Sequence, residues 1–66
     1  MAREKQIEEI LTFVNLHKES FASKIVCNRI LGDKNLEISE EIVKELTEVL
    51  PNAKQEDIDA CYVIIK

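Results

Sequence analysis

A chain of 66 residues has room for one small domain, which we predict to cover residues 1–66. Its 45% apolar and 33% charged residues argue against intrinsic disorder, and no apolar run approaches the length of a membrane span. The net charge of −4 disfavours nucleic acid as a partner unless the few basic side chains gather on one face.

The N-terminus and the cysteines indicate the cellular environment. The opening residues, MAREKQIEEI, are charged and lack the apolar stretch of a secretory signal peptide, so we expect a cytoplasmic protein. Cys27 and Cys61 are the only cysteines, and disulfide-stabilised small domains usually carry more. We interpret them as free thiols that pack as small hydrophobic residues, with a disulfide or a metal-binding or reactive role as alternatives.

The first two predicted helices follow from apolar spacing and from capping residues. Residues 3–17 form the first, and its apolar face carries Ile7, Ile10, Leu11 and Val14. The second begins after Ser20, a plausible N-cap, and ends at Gly32, which tolerates the left-handed conformation of a helix end. Its predicted apolar face consists of Phe21, Ala22, Ile25, Val26 and Ile30, with Lys24 and Asn28 on the opposite side.

A polar connector over residues 33–37 precedes the third helix. Ser39 is its predicted N-cap, and Ile38 is placed to pack against Val43 in a hydrophobic staple. The helix ends near residue 49 or 50, because Pro51 disfavours helical geometry in the residue before it. Its apolar face carries Ile42, Val43, Leu46, Val49 and Leu50.

The last element begins after Pro51 and is predicted to be a helix. Asn52 or a residue soon after it would be the cap, and three acids, Glu56, Asp57 and Asp59, would occupy the first turn. Helical spacing continues through Ile58, Cys61, Tyr62 and Ile65, although the β-branched run YVII leaves a strand as the alternative. About four short helices joined by brief turns predict a compact all-α bundle. Five apolar residues lie outside the main faces and would be core or an exposed patch: Phe13, Leu16, Leu31, Val63 and Ile64.

The residues that catalysis or metal binding would need are scarce. His17 is the only histidine, and it lies at the border of an apolar face. A zinc site would require four closely spaced ligands, and a phosphate-binding loop would require more glycine than Gly32 alone. We therefore expect neither an enzyme nor a bound cofactor.

Residues 23–46, SKIVCNRILGDKNLEISEEIVKEL, resemble the second half of a helix-turn-helix domain of the Cro/repressor type. The match lies in Asn28-Arg29-Ile30-Leu31-Gly32 followed by the amphipathic helix from Ile38 to Leu46. The resemblance implies a recognition helix near residues 20–31. It places Ser23, Lys24, Asn28 and Arg29 toward the major groove, where Asn pairs with adenine and Arg with guanine.

A second, shorter resemblance involves residues 45–65, ELTEVLPNAKQEDIDACYVII. This stretch is similar to the opening of a CUE-type ubiquitin-binding domain, in which a helix ends in an apolar-apolar-proline motif. Val49-Leu50-Pro51 corresponds to that motif. A hydrophobic helix end followed by a stop signal is the alternative interpretation.

These features favour a small non-catalytic adaptor or regulator that binds another macromolecule, most often a protein, through a helical surface. The candidate apolar anchors are Phe21, Ile25, Tyr62 and Ile65. Glu41, Glu45 and Glu48 lie at i, i+4 and i+7 and form an acidic stripe that could bind a basic partner. Such a stripe would suit an inhibitor of a nucleic-acid-binding protein, and a homodimer is a further expectation for so small a chain.

Overall fold

The computed structural model describes residues 2–32 and 37–66 and folds them into four α-helices. Helix α1 spans Arg3–Leu16, α2 Phe21–Leu31, α3 Glu40–Val49 and α4 Gln55–Ile65, and a single 3₁₀ turn at Leu50–Asn52 follows α3. The all-α bundle predicted from the sequence is confirmed, and the YVII run is helical. None of the helices in the described ranges is long and apolar enough to cross a bilayer.

Both ends of α2 and the start of α3 follow local sequence signals. The Ser20 hydroxyl accepts a hydrogen bond from the Ala22 amide at 3.2 Å, and the Ser39 hydroxyl accepts one from the Ile42 amide at 3.4 Å. Gly32 closes α2 with a φ of 78°, a conformation that glycine adopts without a Cβ clash. These three capping predictions are confirmed. The connector predicted over residues 33–37 lies, apart from Glu37, outside the described residues.

Helix α4 begins differently from the prediction. Its N-cap is Lys54, and no side chain caps it. Glu56 and Asp57 occupy the first turn, whereas Asp59 lies in the second turn and was wrongly placed in the first. Asp59 instead accepts hydrogen bonds from two glutamine side chains, Gln55 at 2.8 Å and Gln6 at 3.0 Å.

Polar side chains join α1 to the start of α4. The Arg3 guanidinium donates to the Gln55 side chain at 2.9 Å and to the backbone carbonyls of Pro51 at 2.9 Å and Ala53 at 2.6 Å. The side-chain amide nitrogen of Gln55 also donates a hydrogen bond to the side-chain oxygen of Gln6, Oε1, at 2.9 Å. Arg3 thereby satisfies carbonyl groups in the turn before α4, where no helical partner is available.

The relative direction of the helices follows from these contacts. Arg3 and Gln6 meet the beginning of α4, and Glu9 pairs with Lys66 at 3.7 Å near its end, so α1 and α4 run parallel. Arg29, near the end of α2, pairs with Asp57 at the start of α4 at 3.3 Å. The C-terminal end of α2 therefore lies beside the start of α4.

The core draws on all four helices. Among the described residues, the fully buried apolar side chains are Ile10, Val14, Val26, Cys27, Leu46, Leu50, Ile58 and Cys61. Every one of them is aliphatic or a thiol, and partly buried neighbours such as Ile7, Leu11 and Ile42 extend the cluster. The apolar faces predicted for α1, α3 and α4 supply most of these residues.

The buried face of α2 differs from the predicted one. Ser23, Val26 and Cys27 point into the core, whereas Phe21 is 77% exposed and Ile25 is 36% exposed. Apolar residues cover so much of the circumference of this helix that two overlapping arcs satisfy the same spacing. The arc with the smaller side chains, Ser23 and Cys27, is the one that packs against the rest of the bundle.

Ser23 provides a test of this orientation. Its hydroxyl is fully buried, and no hydrogen-bond partner for it exists among the described residues. We expect Ser23→Ala to raise the free energy of unfolding by about 1 kcal/mol, because the substitution removes an unsatisfied buried polar group. A higher midpoint of urea denaturation, with an unchanged dependence of the unfolding free energy on urea concentration, would measure this increase.

The matched control for Ser23→Ala is Ser20→Ala, three positions earlier. There the hydroxyl caps α2, so its loss should lower the free energy of unfolding by about 1 kcal/mol. A destabilised Ser23→Ala variant would contradict the unpaired state of this hydroxyl and would indicate that it makes a hydrogen bond in the folded protein.

Candidate functional site

The side chains suited to nucleophilic or metal chemistry lie apart. Within residues 2–32 and 37–66, no group of three or more His, Cys, Asp or Glu side chains could hold a metal ion. His17 is exposed just after α1 and packs against the Phe13 ring, with the ring centroids 4.8 Å apart. Cys27 and Cys61 are buried free thiols in the core, so the fold does not expose them beside His17.

The environment of the two thiols opposes ionisation. Burial, followed by the neighbouring Cys61, raises the pKa of the Cys27 thiol from 9.0 to about 11. Burial also raises the pKa of Cys61 to about 11, although the nearby Arg29 acts in the opposite direction. Because the thiolate is the nucleophile and the metal ligand, these cysteines behave as core residues.

Two of the four predicted apolar anchors lie together on the outer side of α2. Phe21 and Ile25 are one helical turn apart, and the exposed Lys24 and Asn28 share this side of the helix. The opposite side of α2 is held in the core by Val26 and Cys27. This surface, Phe21, Lys24, Ile25 and Asn28, is called the α2 outer face below.

The other two anchors, Tyr62 and Ile65, are partly buried and pack against the core. The Lys66 ammonium lies over the Tyr62 ring, 5.0 Å from its centroid. The Tyr62 hydroxyl, and after it the Lys66 ammonium, holds the pKa of the Glu9 carboxyl below its ordinary value. Tyr62 therefore joins α1 to the end of α4, and the fold does not bring it to the α2 outer face.

The four residues implied by the helix-turn-helix resemblance do not form one exposed surface. Ser23 is fully buried, so its side chain is not available to a base edge in this structure. Arg29 is engaged with Asp57 across the α2–α4 contact at 3.3 Å. Lys24 and Asn28 are exposed.

The acidic stripe lies on the solvent side of α3. Glu41, Glu45 and Glu48 are all exposed, as their spacing indicates, while Leu46 of the same helix is fully buried. Neither of the two ion pairs among the described residues involves the stripe. Its negative charge therefore faces solvent.

Leu16 and Val63 are exposed apolar residues that were not among the predicted anchors. They are 70% and 73% exposed. Both lie outside the apolar faces predicted from the sequence, and this was the only indication in the sequence that they would be exposed. Leu16 borders a groove of about 420 Å³ between α1 and the end of α4, whose apolar lining also includes Phe13 and Ile65.

No protein-family model, no curated protein and no solved structure matches this chain.

Proposed function

We propose that the chain is a non-catalytic adaptor or regulator that binds a protein partner through the α2 outer face. The observation that carries this proposal is the 77% exposure of Phe21, beside Ile25, on a helix whose opposite side is fully packed. Aromatic residues are enriched at the centres of protein interfaces, and an apolar helical ridge is a common recognition element. Lys24 and Asn28 supply a polar edge to the same surface.

The proposal is tested by affinity capture from the source organism with wild-type and Phe21→Ser chains, followed by calorimetric titration of the captured partner. We expect Phe21→Ser to weaken that binding by at least 10-fold, as for a central interface aromatic. Circular dichroism should stay unchanged, because the side chain contributes little to the core.

Val63→Ser is the matched control for Phe21→Ser. Val63 is 73% exposed, lies on α4 and is no part of the α2 outer face, so its replacement should leave the affinity unchanged. Equal affinity of wild-type and Phe21→Ser chains for the partner would reject the α2 outer face as the binding surface.

The acidic stripe supports a second candidate, an inhibitor of a nucleic-acid-binding protein. Glu41, Glu45 and Glu48 keep like charges one turn apart, which costs a few tenths of a kcal/mol per pair, and all three face solvent. This candidate would be favoured if the double variant Glu41→Gln, Glu45→Gln lost partner binding while the Phe21→Ser variant kept it.

The DNA-binding alternative requires a different set of side chains from the same helix. Lys24 and Asn28 are accessible to a phosphate or a base. In contrast, Ser23 would have to leave the core, and Arg29 would have to give up its ion pair with Asp57. Salt-sensitive retention on heparin that Lys24→Glu abolishes would support DNA binding over protein binding.

A further inference from the structure

The two thiols of the chain lie where α2 packs against α4. Cys27 and Cys61 are both fully buried and belong to the same core cluster. Arg29, two residues after Cys27, pairs with Asp57 at 3.3 Å and joins the two helices. Cys61 follows Asp57 by one helical turn and shares its side of α4, so it faces α2. Burial, and after it the charge of the neighbouring Cys61 sulfur, raises the pKa of the Cys27 thiol, which agrees with two adjacent groups.

Small side chains at this contact allow the two helices to approach closely. The buried side of α2 carries Ser23 and Cys27, and Cys61 faces it from α4. Axes of packed helices lie about 8 to 10 Å apart, and each Cα lies about 2.3 Å from its own axis. Residues that face each other across such a contact therefore have Cα atoms about 4 to 5 Å apart. Disulfide bonds join cysteines whose Cα atoms are about 4.4 to 6.8 Å apart.

We propose that Cys27 and Cys61 form a reversible disulfide between α2 and α4 when the protein meets a disulfide oxidant such as oxidised glutathione. The free thiols of the structure are the reduced form. One cysteine thiolate attacks the glutathione disulfide and releases one glutathione, and the second attacks the resulting mixed disulfide and releases the other. Two electrons pass from the cysteine sulfurs to the glutathione sulfurs, and the two thiol protons end on the two released glutathione molecules.

The disulfide acts as a redox-sensitive lock on α2. Neither thiol is accessible in the closed bundle, so the reaction proceeds through transient opening of this helix. Once formed, the bond restricts the unfolded chain and favours the folded one. It also fixes which side of α2 faces the core, and with it the exposure of Phe21 and Ile25 on the α2 outer face. Formation of the bond does not depend on the partner-binding role of that face.

Glutathione redox buffers measure how well the fold places the two thiols. The full chain is equilibrated at a series of ratios of reduced to oxidised glutathione, in native buffer and in concentrated urea. Acid quenching, alkylation and mass spectrometry then give the fraction of chains with an intramolecular disulfide. We expect the equilibrium constant for this disulfide to be larger in the native protein by about 10-fold or more, because folding holds the two sulfur atoms together. An equal or smaller native constant would overturn the proposal.

A displaced thiol provides the matched control. In the double variant Cys61→Ala, Val63→Cys, the second thiol moves to a position on α4 that is 73% exposed. Its disulfide with Cys27 should be no more favourable in the native protein than in urea, and a gain equal to that of wild type would count against the assigned placement. Oxidised wild type should also unfold at a higher temperature than the reduced protein. A lower unfolding temperature would indicate a strained bond and contradict thiols that face each other.

Discussion

Replacing Ile58 with alanine should lower the free energy of unfolding by about 2 to 5 kcal/mol. Ile58 is fully buried on α4 and belongs to the cluster that joins all four helices. Truncation removes apolar contacts and leaves a cavity that the surrounding side chains fill only partly. A domain of 66 residues has a total stability of about 3 to 10 kcal/mol, so this loss removes a large share of it.

The control for this prediction lies on the same helix. Val63 is 73% exposed, and Val63→Ala should change stability by less than about 0.5 kcal/mol. Val26→Ala makes the identical chemical change at a fully buried position on α2 and should cost about 2 kcal/mol. Urea denaturation followed by circular dichroism at 222 nm would rank the three variants. Equal losses for Val26→Ala and Val63→Ala would show that the burial assigned to these helices is wrong.

The second large effect concerns the thiols. The native protein should react with iodoacetamide at pH 8 at least 100-fold more slowly than the unfolded chain, because the pKa of each thiol is raised from 9.0 to about 11. Burial of both sulfur atoms slows the reaction further. Mass spectrometry of the alkylated protein, with and without denaturant, would measure the two rates.

An engineered surface thiol gives the comparison for these rates. Val63→Cys should add a single fast-reacting site on α4, since that position is 73% exposed, while Cys27 and Cys61 stay protected. Fast labelling of Cys27 or Cys61 under native conditions would contradict their place in the core. Two thiols that resist alkylation also after unfolding would indicate a disulfide instead.

The raised thiol pKa values also set the response to alkali. A thiol in the unfolded chain ionises near pH 9.0, whereas the folded protein keeps Cys27 and Cys61 protonated until about pH 11. Their contribution to stability is therefore complete below pH 9 and is lost as the pH rises from about 9 to 11. The variant Cys61→Ala should lose less stability than wild type across that interval.

The candidate surface was only partly predictable from the sequence. Phe21 and Ile25 were chosen as anchors for their apolar character, and the same character made them candidates for the core. Exposure depends on which arc of α2 packs against the bundle. Ser23 and Cys27 are buried, whereas a rotation of α2 about its axis would bury Phe21 and Ile25 instead. Leu16 was recognised only as lying outside the main face, since its groove depends on where α4 ends.

Local sequence signals set the start and the end of α2 and the start of α3. Ser20, Gly32 and Ser39 act on backbone groups within a few residues of themselves, so their effect is local and can be read from neighbouring positions. Packing of the helices against one another fixes which side of α2 is buried and how Arg3 and Gln6 contact the start of α4. Those contacts join residues about 50 positions apart, and their geometry exists only once the helices have packed.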